Sequence, residues 1–127
     1  QVRDVPLMVL LLSIPVGLAT TAVLLGGNIR DMQEDMDAGI RSLGRVVGGR
    51  ALTALYVFCV CAPLLLIAGL AIGRLIPAMA ALAFVAAIPG LGLLRTALRQ
   101  VRVPDIDART AQYATVLYAM LAAGLAL

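Results

Sequence analysis

Asn28, Asp31 and Asp35 set one amide and two carboxylates at intervals of three and four, a pattern able to bind a cation. They lie in Gly26-Gly-Asn-Ile-Arg-Asp-Met-Gln-Glu-Asp-Met-Asp-Ala-Gly-Ile-Arg-Ser-Leu-Gly-Arg. If a helix runs through this stretch, at about 100° per residue the three side chains fall within about 60° of one another. Glu34 then lies to one side, while Arg30 and Asp37 face roughly the other way. Two carboxylates one turn apart repel weakly, and a cation between them removes that penalty. Mg²⁺ suits such a pair, because it takes one or two carboxylates and completes its octahedron with waters and substrate phosphates. Gly39 breaks the helix, and Arg41 and Arg45 follow, suited to gripping phosphate oxygens. An ordinary solvated loop of mixed charge fits the bare spacing as well, since Asp-x-x-x-Asp recurs by chance.

The elements that must hold these residues are apolar. Of the 127 residues, 62% are hydrophobic and 13% charged, and the mean hydropathy is +1.03. A soluble domain is nearer half apolar and a quarter charged, so the excess has to reside somewhere other than one small core. The basic residues are all arginine, and the net charge is +3. So few charges and aromatics argue against nucleic acid as a partner, and arginines flanking apolar runs follow membrane topology instead.

Four stretches carry no charge: Leu7–Leu25, Ala51–Gly73, Leu75–Leu94 and Thr110–Leu127, of 19, 23, 20 and 18 residues. At ~1.5 Å per residue each matches a hydrocarbon core of ~30 Å. A soluble bundle would need a polar face on every helix, and Leu75–Ile88 offers none. The sequence therefore predicts an all-α, multi-pass transmembrane bundle in a single membrane domain, 1–127, with four membrane helices. A signal peptide is the other reading of Leu7–Leu25, but the run is longer than the usual ~7–15 residues and more spans follow. The absence of an initial Met points to a truncated chain.

Between the runs, Gly26–Arg50 holds eight charged residues and must lie outside lipid. Arg74 alone separates the second and third runs, which requires a tight hairpin. Arginines ahead of, between and after the runs number 1, 4, 1, 4 and 0. The positive-inside rule then places loop 26–50 and the connection Arg95–Arg109 in the cytoplasm, with both chain ends outside, and the expected location is the cytoplasmic (inner) membrane. Cys59 and Cys61 point about 200° apart on a helix, so they are expected to be packing residues that share neither metal nor bridge. Gly69 and Gly73, with Gly90 and Gly92, are small patches for close helix approach. Tyr56, Tyr113 and Tyr118 lie near helix ends, where interfacial anchoring is expected and cavity lining is the alternative.

The segment Asn28-Ile-Arg-Asp-Met-Gln-Glu-Asp-Met-Asp-Ala-Gly-Ile-Arg-Ser-Leu resembles the second aspartate-rich motif of the UbiA superfamily of intramembrane prenyltransferases. Its N-x-R-D opening and A-G-x-x-[ST]-L close are most similar to the 1,4-dihydroxy-2-naphthoate polyprenyltransferase branch of menaquinone biosynthesis. Arg109-Thr-Ala, entering the last apolar run, is similar to the R-T-A that opens the final helix there. The resemblance follows the order of helices along the chain and is specific in about 20 residues. It implies a nine-helix bundle of which this chain is the C-terminal half, helices six to nine. It also implies that Asp31 and Asp35 hold Mg²⁺ on the diphosphate of a polyprenyl donor, with Asn28 supporting the site and Arg41 touching the diphosphate. Many relatives have a basic residue in place of Ile40 and an arginine in place of Val46, so Arg45 takes no role from the family.

The function so implied is transfer of a polyprenyl group from its diphosphate to an aromatic acceptor, 1,4-dihydroxy-2-naphthoate giving demethylmenaquinone. Diphosphate departure develops negative charge that Mg²⁺ and arginines stabilise, and a dry site protects the allylic cation. The family uses two aspartate-rich motifs on different helices, whereas this sequence has one; Asp105 and Asp107 are two apart and follow Pro104. The fragment is therefore expected to be inactive without the missing N-terminal half. From another class, a transporter or channel fragment with a merely solvated acidic loop fits the same composition.

Overall fold

The computed structural model describes residues 7–98 and 104–126. Every regular element among them is helical: α1 (Leu7–Asp37), α2 (Leu43–Val47), α3 (Gly49–Ile72), a 3₁₀ helix (Ala78–Ala86), α4 (Ala87–Leu98) and α5 (Ile106–Ala126). The fold is an all-α bundle, as the sequence predicts. Three helices are long and apolar enough to cross a membrane: α1, α3, and the joined 3₁₀–α4 segment from Met79 to Leu98. The fourth expected span lies in α5, which has spanning length but carries Asp107, Arg109, Thr110 and Gln112 in its first turns. Leu127 is outside the described residues.

Each long helix buries one stripe. On α1 it is Pro15, Ala19, Ala22, Leu25 and Gly26; on α3 it is Leu52, Tyr56, Cys59, Val60, Pro63 and Ile67. On α5 it is Ile106, Thr110, Tyr113, Ala114, Leu117, Leu121 and Gly124. The spacings of three and four are those of an α-helical face. Cys59 is buried and Cys61 half-buried, both as free thiols. Large side chains such as Leu65, Ile72 and Ile88 point outward, the arrangement expected where lipid tails are as apolar as the interior.

The third apolar run does not form one α-helix. Ala80, Ala83 and Ala86 are fully buried at a spacing of three, which is the 3₁₀ period, where i and i+3 eclipse. The alanine face lets this segment lie directly on Gly124 of α5. A Cβ built at Gly124 would meet the Met79 carbonyl, with the Ala80 Cα at 2.7 Å. Neither Gly69 nor Gly92 has such a neighbour, since a Cβ at either meets nothing within 4 Å.

Two helix ends close with the same nested hydrogen bonds. After α3, Leu75 N–H donates to Leu70 O (2.9 Å) and Arg74 N–H to Ala71 O (3.0 Å). Arg74 takes the left-handed conformation, φ 55°, that glycine normally holds in this turn, so the expected tight hairpin is made there. After α1, Ile40 N–H donates to Asp35 O (2.8 Å) and Gly39 N–H to Met36 O (3.2 Å), with Gly39 at φ 71°. The break expected at Gly39 is present. Loop 26–50, by contrast, is mostly helical: only residues 38–42 and Gly48 fall outside α1, α2 and α3.

Gly124→Ala is expected to destabilise the bundle by about 1–3 kcal/mol through overpacking against rigid backbone. Gly92→Ala should change stability by less than about 0.5 kcal/mol. Thermal unfolding in one detergent compares them directly; equal midpoints for the two variants would refute the close approach of α5 to the 3₁₀ helix.

Candidate functional site

α1 has 31 residues, about 46 Å of helix, whereas a bilayer core is ~30 Å thick. Its last three turns therefore project beyond the apolar run and carry Asn28, Asp31, Glu34 and Asp35 on continuous helix. Two contacts fix this projection. On one side Met32 lies over α2 and α3: a Cβ at Gly44 would come within 2.8 Å of Met32 Cγ, and one at Gly49 within 3.2 Å of Met32 Cε. On the other side Gly26 meets the first turn of α5, where a Cβ would lie 3.3 Å from Asp107 Cα.

Arg30 joins that second contact. Its Nε donates to Asp31 Oδ1 at 2.7 Å and its Nη2 to Asp31 Oδ2 at 3.1 Å. Its Nη1 donates to Asp107 Oδ2 of α5. The side chains of Arg30, Asp31 and Asp107 are 40%, 44% and 27% exposed. One guanidinium thus serves two carboxylates, one on each helix. The Arg30 hydrogen bond holds the Asp31 carboxyl below the usual carboxylate range, against a partial desolvation that pushes the other way.

The predicted site residues are only partly assembled. Asp31 and Asp35 are one turn apart on α1 and both half-buried. Asn28 turns its amide nitrogen back onto Leu24 O at 2.9 Å. Arg41 is exposed in the segment after Gly39, and none of the ion pairs among the described residues joins it to either acid. No group of three or more His, Cys, Asp or Glu side chains able to hold a metal occurs among the described residues. Two hard carboxylates on one helix meet the minimum protein contribution that Mg²⁺ takes, but Asp31 can serve only if Arg30 releases it.

Sequence reasoning missed Asp107 and Thr110. Asp107 is 77 positions from Arg30, and nothing local to either residue announces the pair. Thr110 is fully buried; it donates to Ile106 O (2.6 Å) and meets Tyr56 Oη at 2.7 Å. The tyrosines also depart from the anchoring role. Tyr56 and Tyr113 are fully buried, and Tyr113 Oη donates to Val60 O at 2.7 Å. Tyr118, half-buried, donates to Val16 O at 3.0 Å and meets Thr20 Oγ1 at 2.7 Å. Elsewhere a groove of about 310 Å³ between α4 and α5 is lined by Pro89, Gly92, Leu93, Arg109 and Gln112, away from the acids of α1.

Fold and site together define a helical membrane protein with an ionic cluster where its first described helix leaves the apolar run. No family model matches the chain, and neither does a curated protein or a solved structure.

The depressed Asp31 pKa fixes a pH dependence. Its folded value lies below its unfolded value of ~3.9, so its stabilising effect is present above that pH and is lost as pH falls through the folded value. Unfolding midpoints should be flat from pH 7 to about pH 5 and fall below about pH 4, with a smaller fall in Asp31→Asn. Identical acid profiles for the two proteins would contradict the ion pair.

Proposed function

We propose that this chain is part of a UbiA-type intramembrane prenyltransferase, in which Asp31 and Asp35 hold Mg²⁺ on the diphosphate of a polyprenyl donor. Asn28 and Arg41 belong to the diphosphate side of the site. The acceptor is an aromatic ring, 1,4-dihydroxy-2-naphthoate by the motif's resemblance, and the acidic end of α1 faces the cytoplasm. One observation carries the reading: α1 continues unbroken past its apolar run to Asp37, holding Asn28, Asp31 and Asp35 on one stripe at a membrane boundary. The helix then ends in a turn at Gly39, and Arg41 follows two residues later.

The residues fit the parts that departure of diphosphate from an allylic carbon needs. Bound Mg²⁺ would supply positive charge to the departing diphosphate. Asp31 and Asp35 supply oxygen ligands, and Arg41 supplies hydrogen-bond donors to phosphate oxygens. The apolar helices supply a water-poor setting for the prenyl tail. One aspartate-rich helix is half of what this chemistry uses, so the activity belongs to the complete protein rather than to these residues alone.

A second reading follows from Arg30. Because it already neutralises Asp31 and ties it to Asp107, the acidic turn also suits a non-enzymatic membrane module, a transporter or channel segment, with a structural ion pair. The two readings separate in an assay of the complete protein in detergent with naphthoate, polyprenyl diphosphate and Mg²⁺. Prenylated product is expected, and Asp31→Asn and Asp35→Asn should each lower turnover roughly 10²–10³-fold, the size of one lost transition-state contact. Full turnover in both variants refutes the site, and no product from the intact protein favours the structural module.

A further inference from the structure

We infer that Arg30 is an exchangeable counter-cation: it occupies Asp31 while no other cation does, and moves onto Asp107 when a divalent cation takes Asp31. The inference rests on the reading that Asp31 and Asp35 bind such a cation, and is independent of prenyl transfer. Arg30 meets both oxygens of Asp31, with contacts of 2.7 and 3.1 Å, so a cation and Arg30 compete for the same lone pairs. Its remaining Nη1 already touches Asp107, so release from Asp31 needs no search for a new partner. Both Arg30 and Asp31 stay about two-fifths exposed, which leaves an incoming ion and its waters a route to the pair. Asp107 sits on the first turn of α5 and is held close to α1 by the contact at Gly26, so the receiving carboxylate is fixed in place.

Exchange makes Asp107 a positioning residue for a cation it does not touch. With Asp107 present, the displaced guanidinium keeps a partner, and cation uptake leaves no charge stranded. Without it, Arg30 has only Asp31 to pair with and competes harder. The exchange also couples the cation to the α1–α5 contact, because Asp107 carries the whole guanidinium in one state and shares it in the other.

The test is titration of the complete protein in detergent with Mn²⁺ alone, read by calorimetry, with helical content checked for each variant. Arg30→Gln should bind Mn²⁺ roughly three- to tenfold more tightly than the parent, the range for losing one half-exposed competing charge. Asp107→Asn should bind more weakly by a similar factor, and in the double variant that weakening should shrink towards unity. The last comparison removes the plain long-range effect of the Asp107 charge, which would persist without Arg30. Unchanged or weaker binding by Arg30→Gln overturns the exchange while leaving the cation reading intact. Absence of binding in the parent and in Arg30→Gln alike overturns both.

Discussion

A bilayer offers no water to a stray polar group, so every hydrogen-bonding atom in the apolar runs must find a protein partner. That constraint organises α5. Its Thr110 and Tyr113 sit among apolar side chains and are fully buried, and each is satisfied across a helix boundary. Tyr113 finds the carbonyl of Val60 on α3, whose second lone pair can accept beside the helix's own ladder. Tyr56 and Thr110 complete each other, with the Thr110 hydroxyl passed on to Ile106 O. One hydroxyl pair and one hydroxyl-to-carbonyl bond therefore seat α5 on α3, and Tyr118 with Thr20 and Val16 seats it on α1.

With α5 so placed, its first turn meets the point where α1 leaves the apolar run, and the constraint changes sign. Charges are tolerated there because water is near, and Gly26 allows backbone to approach backbone. Asp107 arrives beside Arg30 as a consequence of packing deeper in the bundle. The ion pair itself is too exposed to drive the fold; pairs of this kind contribute at most about 1 kcal/mol. It is better understood as a product of the helix contact, which in turn sets the local charge around Asp31.

The helical class was legible in the sequence because long uncharged runs admit few alternatives in any solvent. The hairpin at Arg74 and the break at Gly39 were legible too, since a single residue between two apolar runs and a glycine after an acidic turn leave the chain little choice. The extent of α1 was legible only as a supposition, a helix carried on through charge to Gly39, because the same charges also read as loop 26–50. Asn28 to Asp37 is polar but made of residues that tolerate a helix, and a helix already nucleated in the apolar run propagates at little cost. The 3₁₀ stretch was hidden because alanines every third residue also satisfy an α-helical reading. The tyrosines misled for a physical reason: an amphipathic ring near a helix end suits the interface, but a carbonyl or hydroxyl on a neighbouring helix satisfies its hydroxyl as well. Arg30 with Asp107 was beyond reach, because their meeting depends on the crossing of two helices far apart in sequence.

The cation site proposed on α1 consequently shares Asp31 with Arg30. A single helix can aim two carboxylates at a cation, but only from one side, and the rest of an octahedral shell must come from waters, phosphates or other helices. Until such groups arrive, leaving two acids one turn apart unneutralised would work against the helix, and Arg30 relieves that repulsion from the adjacent position. Arg30 therefore lowers the net negative charge of this helix end, at the modest energy that a half-exposed pair can contribute. A purely structural module can use the same grip, because two-point pairing is the ordinary geometry of a guanidinium on a carboxylate. The catalytic reading requires the grip on Asp31 to loosen and the structural reading requires it to stay, so this contact, reaching on to Asp107, is where the two divide.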